Sequence, residues 1–244
     1  MLFSHEPLAT HIREHFEPVW ESLRPVPLVT IDFGNGTVVT RSLHGNIATS
    51  VCNADGRVLD ILPGIYEPNT YLQRLEELEK LHRFAKQAGE HADKVVRDYH
   101  RRQAEAIVTG QPPEVFALVG GGFSIMATER PTQVILRPAE RLATRAQAVR
   151  GGELVPSDAP SLDDPQELAD WKTLADDTRL NETFRRRKIH EELAHRGLIA
   201  PPDVTKWLYR EVLHTDLDDP YLGLGNLLFA NYPFAAEEAS DNSQ

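Results

Sequence analysis

Two histidines, His11 and His15, stand four residues apart near the start of the chain. On a helix of about 3.6 residues per turn that spacing puts both imidazoles on one face. Imidazoles so placed can share a metal ion, and His5 and Glu14 lie near enough in sequence to add ligands. The plainer reading is two boundary histidines on an amphipathic helix. A second pair occurs in His190-Glu191-Glu192-Leu193-Ala194-His195. It invites comparison with the zinc-protease signature and fails on spacing. That chemistry needs the histidines four apart with a glutamate beside the first. Here they are five apart, or about 140° around a helix barrel. These residues are expected to form a solvated helix end.

Other chemistry-bearing residues also have plain readings. Cys52 is the chain's one cysteine. It falls in a strand pattern and reads as a small buried hydrophobe. A reactive thiol wants an electropositive, exposed setting, and Asp55 offers the reverse; sequence does not place His44. Asp216-Leu217-Asp218-Asp219-Pro220 concentrates carboxylates that calcium could use. The EF-hand spacing is absent, and an Asp-rich turn leading into Pro220 is the simpler account. Gly120-Gly121-Gly122 is followed by Phe123-Ser124-Ile125-Met126. That segment has no phosphate-loop lysine and no Gly-x-Ser-x-Gly elbow. Arg185-Arg186-Arg187-Lys188 is the one dense basic run. It is suited to an anion or to the acids Asp158, Asp163, Asp164 and Glu167, and its plain reading is a solvated helix face. Leu180 and Phe184 point to one side of that helix while Ile189 and Leu193 point nearly opposite, which suggests a helix between two partners.

The elements that must position these residues follow from periodicity. Leu8, Ile12, Phe16, Val19 and Leu23 form one apolar stripe, predicting a helix over about 7–23 kinked at Pro18. Residues 26–33 read as a buried strand and 37–40 as another, with a local hairpin as one way to join them. Ile47–Asn53 and Arg57–Leu62 predict a hairpin around Asp55-Gly56. Pro63-Gly64 ends it. A helix then runs from about Pro68, with Tyr71, Leu72, Leu75, Leu78, Leu81 and Ala85 buried. Gly89 breaks it, and helix resumes to about Thr109 with Tyr99 and Arg101-Arg102 on a polar stretch. Short strands are expected at 115–119, 123–126 and 133–136, and a linker at 151–165. Helices follow from about 166 through 173 and somewhat beyond, over 180–196, and over 203–213 with Asp203 as cap. Tyr221 to Phe234 is apolar and aromatic and is expected to dock on the body, and 235–244 reads as an acidic, disordered tail.

Composition sets the limits. The 244 residues carry 26 Lys+Arg against 37 Asp+Glu, a formal net charge of -11. That balance argues against general nucleic-acid binding, which needs a positive field. One cysteine excludes a disulfide framework and a Cys-rich zinc site. No run of about 18 apolar residues predicts a membrane span. The N-terminal residues do not read as a secretory signal, so a cytoplasmic address is the default.

The order of kinked helix, strand, connection, Asp-Gly hairpin and closing helix resembles the thioredoxin fold from its active-site helix onward, over residues 7–86. Phe16-Glu17-Pro18-Val19-Trp20-Glu21-Ser22-Leu23 looks like that family's proline-kinked helix. Val29-Thr30-Ile31-Asp32 looks like its central strand. Ile47-Ala48-Thr49, Asp55-Gly56 and Pro63-Gly64 look like its hairpin and the entry to its last helix. The departures concern function. Where the resemblance implies Cys-x-x-Cys, the chain has Thr10-His11-Ile12-Arg13. Where it implies a cis-proline, the chain has Ala48, and a trans bond is expected. The family has a helix between the strands at 28–33 and 37–40, so the local hairpin is the structural rival.

The expectation is an α/β chain: a thioredoxin-like domain at 1–88, a helix plus short strands at 89–150, and a mainly helical C-terminal region at 151–244. Its expected function is a binding or scaffold protein without redox chemistry, whose partner is a protein. Two alternatives stand. One is a metal-binding enzyme or carrier using the His11/His15 face, with no cofactor otherwise implied. The other is a subunit of a larger assembly or a homo-oligomer, docking through Leu222 to Phe234.

Overall fold

The computed structural model describes residues 2–42, 47–110, 115–119, 122–126 and 165–224. Its fold is mixed, with helices and small two-stranded antiparallel sheets. The chain divides into two compact units, one of residues 1–18 and 47–201 and the other of 19–46 and 202–244.

The first unit begins with α1, Glu6–His15. The helix stops there and does not reach residue 23. Phe16 is already extended, and Val19 and Trp20 are exposed. Pro18 has no amide to donate and disfavours helical geometry in the residue before it. Val19 and Trp20 stay in solvent, and the proline ends this helix where a kink was expected. The Asp-Gly hairpin forms as read: β3, Ala48–Cys52, pairs antiparallel with β4, Val58–Pro63. Asn53 fixes the turn, its side-chain oxygen accepting the amides of Asp55 and Arg57. All six residues of β4 are buried.

Helix α2, Pro68–Ala88, buries Tyr71, Leu75, Leu78, Leu81 and Ala85, the stripe its spacing predicts. Gly89, at φ +56, ends it, and a single tight turn leads into α3, Ala92–Thr109. One hydrophobic core joins Leu8 of α1, Val51, Leu59 and Leu62 of the hairpin, the α2 stripe and Val96 of α3. Strands β5, Val115–Val119, and β6, Gly122–Met126, pair as a hairpin. The strand expected at 133–136, the linker and the tail lie outside the described residues.

The helices expected to be separate near residue 180 are continuous. Helix α4, Pro165–Leu180, passes through a π-helical turn at Asn181–Arg185 into α5, Arg186–Arg196. Asn181 reaches out of that turn and donates to the carbonyl of Ile65 at 2.8 Å. Ile189 and Leu193 are buried, while Leu180 and Phe184 on the other side are exposed. Arg97 of α3 closes the C-terminus of α5. Its guanidinium donates to the carbonyls of His195 and Arg196, and Asp93 accepts the amide of Leu198 at 2.8 Å. These groups satisfy the acceptors and donors that a helix end leaves open.

In the second unit, β1, Leu28–Asp32, pairs antiparallel with β2, Val38–Ser42. A local hairpin, not a helix, therefore connects these strands. The strand expected to be buried is mostly exposed, with Leu28, Ile31 and Phe33 open. Its β-branched and apolar composition signalled a strand correctly, but a run of that kind does not say whether anything covers it. Helix α6, Pro201–Trp207, starts two residues before Asp203 and ends in a π-helical turn at Leu208–Val212. Arg24 donates to the carbonyls of Leu217, Asp219 and Pro220. The acidic loop is a set of Asx turns, as read. Asp216 accepts the amide of Asp218, Asp219 accepts that of Tyr221, and Lys206 pairs with Asp218 at 2.9 Å.

Candidate functional site

Two clusters of histidine and carboxylate occur among the described residues, and both lie in the first unit. The first contains the pair read from sequence. Helix α1 presents His11 and His15 on one face, their rings stacked 4.4 Å apart. Glu79, near the middle of α2, meets them. His11 Nε2 lies 2.8 Å from Glu79 Oε1 and His15 Nδ1 lies 3.3 Å from Glu79 Oε2. Leu8 and Ile12 anchor α1 to the core, which fixes the height of the two rings over α2. The side chains are 16 %, 44 % and 25 % exposed for His11, His15 and Glu79, so the cluster sits at a rim open to solvent through His15. His5 and Glu14 do not belong to it.

The second cluster is in the interior and was not anticipated. Asp60 stands in β4 between buried Leu59 and Ile61. Arg186 and His190 come from α5, and His100 from α3; all four are buried. His190, expected on a solvated helix end, and Arg186, expected on a solvated basic face, are both in the interior. Positions 186, 189, 190 and 193 form one helical face, and Ile189 and Leu193 carry the two polar residues beside them into the interior. Tyr99, expected on a polar stretch, packs its ring against His100 and His190.

Arg186 NH2 donates to Asp60 Oδ2 at 2.9 Å. Asp60 Oδ1 accepts the amide of Ile61 at 2.8 Å. Glu182 lies 3.6 Å from Arg186 Nε and pairs directly with Arg74, which also holds Glu77 at 2.7 Å. Burial alone would depress the Arg186 guanidinium, but Asp60 and Glu182 hold its pKa above the ordinary value. Burial, with Glu182 next, pushes the Tyr66 phenol far up; burial, with Asp60 next, does the same to Tyr99. Both phenols stay protonated.

The hydrogen bonds also fix the protons. A guanidinium donates and cannot accept, so His190 Nε2, 3.0 Å from Arg186 NH2, is an acceptor. His190 therefore carries its proton on Nδ1 and donates it to His100 Nδ1 at 2.8 Å. His100 then carries its own proton on Nε2 and donates to the carbonyl of Leu59 at 2.9 Å. Both rings are neutral. Burial first, then the Arg186 charge, lowers the pKa of His190 well below its ordinary value. Burial lowers that of His100, against opposing pulls from Asp60 and the Leu59 carbonyl.

This geometry decides which cluster suits a metal. A metal on His190 Nδ1 would force the proton to Nε2, head-on to the Arg186 donor. The interior chain is complete as a neutral hydrogen-bond relay. At the rim, His11 Nε2 and Glu79 Oε1 are sheltered from solvent and 2.8 Å apart, yet neither has a hydrogen-bond partner. Two imidazoles and a carboxylate are a donor set that suits zinc and its neighbours and leaves a fourth position open.

Cys52 lies half-buried in β3, and burial raises its pKa. Strands β5 and β6 flank the glycine run, most of which lies outside the described residues, as does His44. Two signals in the sequence pointed to the interior site. Asp60 interrupts an apolar strand, and Arg186 and His190 share a face with Ile189 and Leu193. Charged residues in two stripes that must both be buried are expected to pair.

No protein-family model matches the chain, and neither a curated protein nor a solved structure matches it.

Proposed function

We propose that the chain is a binding protein without redox chemistry, a degenerate thioredoxin-like part whose role is to hold a ligand or partner. Cys52 is the observation that supports this reading. Disulfide exchange needs a thiolate and a second thiol. Cys52 is the chain's one cysteine, and burial keeps its thiol protonated. The peptide bond before Ala48 is trans, as expected at the position of the family's cis-proline. The β1–β2 hairpin departs from the family's helical connection, so the resemblance rests on α1, the Asp-Gly hairpin and α2. An insulin-reduction assay with mixed-disulfide trapping tests the reading. The expected result is no turnover and no difference between the native chain and Cys52→Ser. Sustained turnover would overturn it. The alternative of a metal-binding protein has its own observation in the meeting of His11, His15 and Glu79. The proposed docking segment Leu222 to Phe234 lies mostly outside the described residues.

A further inference from the structure

We propose that His11, His15 and Glu79 form a binding site for one zinc-class divalent ion. The proposal names the ligand of the binding protein inferred above. It stands on its own observation, since turnover of insulin would remove that reading without touching this site.

Three features carry it. The donors are of the right kind: two neutral-capable imidazoles and one carboxylate suit zinc, whereas magnesium and calcium take all-oxygen shells. They converge from two helices that one core holds together, so the site does not depend on a loop; all three donor atoms lie within 4.8 Å of one another. In a tetrahedral site with metal–donor distances of about 2.0–2.2 Å, neighbouring donors stand roughly 3.3 Å apart. His15 Nδ1 already stands at that spacing from Glu79 Oε2, at 3.3 Å, and His11 Nε2 lies closer to Oε1, at 2.8 Å. The third feature is that His11 Nε2 and Glu79 Oε1 face each other without a hydrogen bond. A cation bound by both would satisfy both lone pairs. The stacked rings must turn about their side-chain bonds to converge, and the half-exposed His15 ring is free to do so. Its exposure also leaves the fourth position to water or a small anionic ligand.

The test uses the full chain without a histidine tag, titrated with Zn²⁺ by calorimetry and with Co²⁺ by visible absorption. The expected result is one equivalent of each, with the intense visible bands of a low-coordinate cobalt site. His15→Ala and Glu79→Gln should each weaken binding roughly tenfold or more. His195→Ala, at an exposed helix end, should bind as the native chain does. Thermal melts of the metal-free variants confirm that each is folded, and Glu79→Gln keeps the shape of the side chain should His15→Ala disturb α1. Absence of stoichiometric binding, or binding indifferent to both His15→Ala and Glu79→Gln, would overturn the proposal.

Discussion

The rim and the interior of the first unit use the same side-chain types for opposite ends. At the rim, two histidines one helical turn apart meet a glutamate from the next helix, and one of the contacts is close but not bonded. In the interior, two histidines from different helices meet an aspartate and an arginine, and each ring nitrogen has a partner of the right kind. The difference is the arginine. It compensates Asp60, dictates the tautomer of His190, and through it that of His100. A histidine–carboxylate cluster with a fixed cation inside is already neutralised. One without a cation keeps its lone pairs available. Residue type and proximity alone would not distinguish the two clusters, but the direction of the hydrogen bonds does.

The largest expected effect comes from breaking the interior pair. Arg186→Leu leaves the Asp60 carboxylate buried and alone, and should cost about 3–5 kcal/mol in urea unfolding. Asp60→Asn combined with Arg186→Leu should recover part of that loss, since the uncompensated charge is gone. Recovery by the double variant distinguishes charge compensation from simple loss of packing.

Acid comes next. His100 and His190 have folded pKa values below the unfolded value of about 6.5. Below that pH the unfolded chain binds protons that the folded chain does not. Stability is therefore whole above about pH 6.5 and falls as pH drops toward the folded values. The slope approaches about 1.4 kcal/mol per pH unit for each histidine. Urea midpoints between pH 7 and 5 check this. A flat profile would mean that the two rings take up protons as readily in the folded chain as in the unfolded one.

Tyr71→Phe should cost about 1 kcal/mol, the net value of its 2.8 Å bond to Thr49. That bond ties the first turn of α2 to β3, so the variant shows whether the seating of α2, which carries Glu79, matters to zinc affinity. Smallest is Glu79→Gln in the absence of metal. As a partly exposed group, its loss should change stability by less than about 1 kcal/mol, in contrast with its large effect on metal binding. A large metal-free loss would make Glu79 a structural clasp and move the rim toward the interior's behaviour.

The sequence was informative where one physical rule acted alone. The α2 stripe and the Asp55-Gly56 turn are periodicity and backbone freedom, and both formed as read. The His11/His15 face was also legible, because a helical spacing places both rings. Glu79 was not, since its meeting with α1 depends on how two helices pack. Arg186, His190 and Asp60 were misread for a related reason. Charged residues are solvated by default, and only the burial of both stripes, in α5 and in β4, makes their pairing necessary. The first helix was read too long because its stripe continues through Val19 and Leu23. Pro18 overrides that pattern, and Val19, Trp20 and Leu23 are exposed.

The two clusters differ in where their protons sit. Nitrogen-15 spectroscopy of the histidine rings, recorded with and without one equivalent of Zn²⁺, tests it most directly. His190 should be protonated on Nδ1 and His100 on Nε2, both unchanged by zinc, while the His11 and His15 ring nitrogens shift on binding. Zinc-induced shifts at His100 and His190, with His11 and His15 unmoved, would contradict it.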